Sequence, residues 1–81
     1  MPIDVAETNR NQVLGALVAY LRGVVTINAV YGTVKSASFR NEALEAILSR
    51  AEMGTKDVGI GLKKELMETL RSGLKERGFL A

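Results

Sequence analysis

The chain of 81 residues carries no histidine and no cysteine, so its possible chemistry rests on carboxylates, amines, guanidinium groups, hydroxyls and backbone. Missing histidine removes the commonest general base and metal ligand, and missing cysteine removes both thiolate metal sites and a disulfide scaffold. Two carboxylate pairs stand at helical spacing, Glu42 with Glu45 and Glu65 with Glu68. Such pairs hold a metal or work as acid and base when they face an interior. Here the surrounding pattern puts both on wet faces. No Glu-x-x-His motif exists, and no serine sits in the glycine elbow of a hydrolase. The expectation is a protein that is not an enzyme, with no catalytic residues, no metal and no cofactor.

Two features invite an anion-binding reading. Gly54-Thr55-Lys56-Asp57-Val58-Gly59-Ile60-Gly61 opens a helix and has Gly54 and Gly59 at the spacing of a phosphate-cradling loop. Ile60 stands where that motif needs lysine and Gly61 where it needs a hydroxyl, and no valine-rich strand leads into the loop, so an interhelical turn is expected. The last helix carries Lys63, Lys64, Arg71, Lys75 and Arg77, of which Lys64, Arg71 and Lys75 share one side and form a candidate contact for nucleic acid or an acidic partner. Glu65, Glu68 and Glu76 are interleaved with them at spacings that lace charges along an exposed helix. The net charge of +2 is small, and residues 35–81 hold nine basic against seven acidic residues. A nucleic-acid binder normally gathers its cations on one face, so the expected surface is a solvated one.

Arg22 is the one charge in the 22 residues from Val13 to Val34. It must reach water or pair with a carboxylate, either as a helix-end cation or across an interface with another subunit, where it would set register. The run around it is too apolar to sit in water. Its length suits a membrane span, and Gly15, Ala19 and Gly23 have the small-residue spacing of packed membrane helices. Roughly nine large aliphatics at about −0.3 to −0.6 kcal/mol each are offset by about +2.5 to +3.5 for Arg22 and a further cost for Asn28, which leaves insertion near balance. Asp4 and Glu7 occupy the place of the cationic region of a signal peptide, and the cytoplasm is the default compartment.

The elements that must position these residues follow from caps and periodicity. Asp4 followed by Glu7 is an acidic capping box that starts a helix near Val5. Val13, Leu14, Leu17, Val18, Tyr20 and Leu21 cover more than one apolar stripe. Leu21-Arg22-Gly23 resembles a helix end, yet Val13, Leu17, Tyr20, Val24, Ile27, Tyr31 and Val34 keep a four-three spacing that suits a coiled-coil seam. The reading adopted is one long helix over about 5–35. The alternative makes residues 24–34 a strand or hairpin, since seven of these eleven residues are β-branched. Lys35-Ser36-Ala37-Ser38 forms the following loop, with Ser36 or Ser38 as N-cap.

A second helix over about 39–53 buries Phe39, Ala43, Leu44, Ile47, Leu48 and Ala51 and stops at Gly54. A third, over about 58–77 and capped by Thr55 or Asp57, buries Leu62, Leu66, Met67, Leu70 and Leu74, with Phe79 and Leu80 docking after Gly78. The expected fold is a small, mainly α domain over residues 1–81. A core this small is marginal alone. The expected function is therefore a structural or interaction protein that self-associates into a homo-oligomer or filament through Val13, Leu17, Tyr20, Val24, Ile27, Tyr31 and Val34, with Arg22 fixing register. Alternatives are a small regulator that contacts nucleic acid or a partner through the last helix, and a small membrane-inserted protein.

Overall fold

The computed structural model describes residues 4–81; of the expected 1–81 domain, residues 1–3 lie outside the described residues. The described residues form four helices: α1 (Val5–Leu21), α2 (Ile27–Ala37), α3 (Asn41–Met53) and α4 (Ile60–Glu76). The domain is mainly α, and no strand occurs among the described residues. α1 packs against each of the other three helices.

α1 begins where the capping residues place it. Asp4 is extended, and its carboxylate accepts the Glu7 N–H at 3.1 Å, satisfying one of the first turn's free donors. The helix does not run on to residue 35. Gly23 has φ +77°, with its N–H donating to the Tyr20 carbonyl and the Val24 N–H donating to the Ala19 carbonyl. That pair of bonds is a Schellman stop, which an L side chain at Gly23 would strain. The strand alternative fails as well, for residues 27–37 form α2 despite their β-branched content. Burial decides here: Val30 and Val34 lie four apart on one helical face and are fully buried, and tertiary packing outweighs a propensity difference of a few tenths of a kcal/mol per residue.

The same chemistry closes α4, where Gly78 at φ +79° donates to the Lys75 carbonyl and Phe79 N–H to that of Leu74. This turn lays Phe79 and Leu80 into the core, as the sequence implies. The Phe79 carbonyl then accepts the Asn41 N–H at 2.9 Å, tying the chain's end to the start of α3. The expected loop at residues 35–38 is instead the end of α2, with Ser38 in the left-handed cap position, and Arg40 stands where a serine N-cap was expected for α3.

One core joins all four helices. Val13, Leu17, Leu21, Val30, Val34, Leu44, Leu48, Leu70 and Leu74 are fully buried in it. The amphipathic reading of α3 holds for Leu44, Ile47, Leu48 and Ala51, whereas Ala43 is exposed and Phe39 half-buried in the linker. On α4, Met67, Leu70 and Leu74 are buried, Leu66 is half-buried and Leu62 is exposed. Among the described residues no helix is long and apolar enough to cross a membrane. Gly15 has open space at its Cβ position, with no other helix of the described residues against it.

Candidate functional site

The fold disperses the four-three seam. Val13, Leu17, Tyr20 and Val34 are buried in the chain's own core, Ile27 and Tyr31 are half-buried against it, and Val24 is exposed. The stop at Gly23 is the cause. It packs α2 onto α1, so side chains that would line up along one long helix face each other inside one subunit. The continuous coiled-coil stripe is corrected accordingly.

Arg22 stays at the surface and finds its carboxylate within the chain. Its Nε and Nη2 donate to the two Asp57 oxygens, each at 3.0 Å, a bidentate pair between the end of α1 and the α3–α4 turn. The hydrogen bond to Asp57 and the nearby negative charge raise the Arg22 pKa. The bond from Arg22 likewise holds the Asp57 carboxyl below its ordinary range. Both side chains are about half exposed, 45% and 60%, so the pair sets geometry more than stability. It borders an open cleft of about 600 Å³ lined by Tyr20, Leu21, Val25, Val58, Leu62 and Leu66. Leu62 at 55% exposure, and Val24 at 74% between the lining residues Gly23 and Val25, are large apolar groups left in water.

The glycine-rich segment serves as a turn and not as a phosphate loop. Gly54 ends α3 and Gly59 precedes α4 with no side-chain cap. Thr55 and Asp57, the expected caps of α4, are committed elsewhere. Thr55 is fully buried and its hydroxyl donates back to the Ala51 carbonyl at 2.9 Å, while Asp57 holds Arg22. Lys63 reaches across from α4 and donates to the Glu52 and Thr55 carbonyls at 2.9 and 3.0 Å. A cation thus closes the end of α3, where the helix dipole and free carbonyls favour it.

The candidate basic face of α4 loses its middle member. Arg71 Nη1 donates to both Glu45 oxygens at 2.6 Å, leaving Lys64 and Lys75 as separate exposed amines. Of the carboxylate pairs, Glu42, Glu45, Glu65 and Glu68 are all exposed, and no metal-holding cluster occurs among the described residues.

Positive charge gathers elsewhere, in a groove of about 400 Å³ lined by Tyr31, Gly32 and Lys35 of α2, Arg40 of the α2–α3 linker, and Arg77 and Phe79 at the end of α4. The Arg77 guanidinium lies 3.9 Å above the Tyr31 ring and that of Arg40 lies 5.1 Å from the Phe79 ring centre. Arg40 Nη1 also donates to the Gly78 carbonyl at 2.7 Å. Tyr31 in turn lies so close to Gly73 that a Cβ there would overlap its hydroxyl. Lys35 and Arg40 carry no local signal of this association, since their neighbour Arg77 is remote in sequence; the one local sign is the cation-then-glycine ending at Arg77-Gly78.

No family model matches the chain, and neither curated proteins nor solved structures gave a match.

Proposed function

We propose that this chain is a non-enzymatic interaction domain that pairs with a second copy of itself across the apolar cleft beside Arg22 and Asp57. The carrying observation is that cleft, with Leu62 of its lining exposed, Val24 exposed between the lining residues Gly23 and Val25, and a charge-neutral ion pair on its rim. A two-fold contact buries the same patch on both partners, so the patch must complement itself. One cation and one anion side by side meet this condition, because rotation about the axis offers each Arg22 to the other copy's Asp57. The groove of Lys35, Arg40 and Arg77 fails the condition, as two copies would oppose like charges. Burying the exposed apolar groups supplies the driving force, and Arg22 keeps the register-setting role that its place in the sequence suggests.

Light scattering after gel filtration, over a series of protein concentrations, tests this reading. A dimer is expected that holds or strengthens as salt rises, because apolar association is not screened. Leu62→Asp and Val24→Asp should each give a monomer with unchanged helical circular dichroism, since both positions are exposed within one subunit. Aspartate at Leu17 would test the core instead, because that side chain is fully buried. A wild-type chain that stays monomeric throughout, or a Leu62→Asp chain that associates as well as wild type, refutes the pairing.

A further inference from the structure

We propose that the groove between the end of α2 and the end of α4 is a binding site for a phosphate monoester. Three cations, Lys35, Arg40 and Arg77, line it, and no carboxylate does. Neither ion pair of the described residues includes any of the three. Their gathering has a physical cause, for Lys35 lies in the last turn of α2 and Arg77 caps the end of α4, where helix dipoles favour cations. Two helix ends at roughly −0.5 charge each offset only about one of the three positive charges, leaving an excess of about +2. A monoester carries about −1.5 to −2 at neutral pH, which matches that excess.

The two arginines are already held for such a ligand. Contact with the Tyr31 ring for Arg77, and with the Phe79 ring for Arg40, restricts both guanidinium groups, and the bond to the Gly78 carbonyl uses one Arg40 donor. The remaining edge N–H groups are free to fork onto phosphate oxygens, the bidentate geometry that distinguishes arginine from lysine. Gly32 lines the groove with nothing near its Cβ position, so the α2 backbone side stays open to an incoming group.

The same features disfavour a polynucleotide. Strand binding needs a track of cations and exposed aromatic faces on which bases stack. The groove is a single point of charge, and the neighbouring α4 cation Arg71 is taken by Glu45. Phe79 is buried, and one face of Tyr31 is covered by Arg77. The shared chemistry is therefore one terminal phosphate, carried by a small ester or by a phosphorylated side chain.

The test follows backbone amide shifts of the labelled full chain during titration with glycerol phosphate, a phosphoserine peptide and its unphosphorylated form, dimethyl phosphate, and a thymidine oligonucleotide. Saturable shifts at Gly32, Lys35, Arg77 and Phe79 are expected with both monoesters, with the unphosphorylated peptide and the diester weaker by about tenfold or more. Tighter binding of the phosphopeptide than of glycerol phosphate assigns the site to a protein partner, and equal binding assigns it to a small ester. Lys35→Gln, at an exposed position, and Arg40→Gln should each weaken the monoester by about tenfold, while Lys64→Gln should not change it. An oligonucleotide that binds more tightly than either monoester, shifts that never saturate, or affinities indifferent to Lys35→Gln overturn the proposal.

Discussion

Alanine at Gly73 puts a methyl group where the Tyr31 hydroxyl and ring carbon already lie, whereas alanine at Gly15 meets nothing within 4 Å. Both glycines are interior to helices, α4 and α1, so both substitutions gain roughly 0.5–1 kcal/mol from lower chain entropy and better helix propensity. At Gly73 the gain is set against an overpacking cost of typically about 1–3 kcal/mol, because Tyr31 must swing away and give up its stack with Arg77. The expected result is that Gly15→Ala raises stability, while Gly73→Ala lies about 1–3 kcal/mol below it. For a domain of this size each kcal/mol moves Tm by about 4–8 °C. Urea unfolding followed by far-ultraviolet circular dichroism separates the two, with the comparison valid while the slopes agree. In a Tyr31→Ala background the penalty at Gly73 should vanish, a coupling that identifies the contact itself. If Gly73→Ala stabilises as much as Gly15→Ala in the wild-type background, α4 does not approach Tyr31 as described, and the shape of the cationic groove is wrong with it.

Gly23→Ala should destabilise by about 1–2 kcal/mol, the cost of an L residue in the left-handed conformation, as read by the same urea series; a helix continuous through Gly23 would instead be stabilised, so the sign alone decides. The Arg22–Asp57 pair gives a pH signature. Because the hydrogen bond from Arg22 lowers the folded-state pKa of Asp57 below the ordinary aspartate value, its contribution is present above the unfolded value and is lost as pH falls through the folded one. The Tm of wild type should therefore exceed that of Asp57→Asn at neutral pH, and the difference should close in the acid range below about 4; a gap that persists unchanged in acid would mean that Asp57 carries no such bond.

Local chemistry explains what was legible in the residues. Asp4 caps α1, Gly54 and Gly78 end their helices, and Leu44, Ile47, Leu48 and Ala51 fall on the buried stripe of α3, because each of these depends on neighbours within one or two turns. Gly23 shows where such reading loses its way. Cation-then-glycine is a local stop, but the four-three apolar pattern around it competes with that signal, and where most positions are apolar a heptad phase fits whether or not a seam exists. The β-branched content of residues 24–34 supports only the strand alternative, which fails because propensity is a weak force beside the burial of Val30 and Val34.

The sequence by itself determined a mainly helical chain, the Asp4 cap of α1, the stops at Gly54 and Gly78, and the inward face of α3 at Leu44, Ile47, Leu48 and Ala51, because those are set by hydrogen bonds and periodicities that span a few residues. Tertiary structure alone decided that the apolar run would close on itself, that Arg22 would meet Asp57 across 35 positions, and that Gly73 would leave room for Tyr31. It also brought Lys35, Arg40 and Arg77 to one groove. These outcomes depend on how helices pack once Gly23 turns the chain back, and a contact between distant segments leaves no periodic trace in either of them.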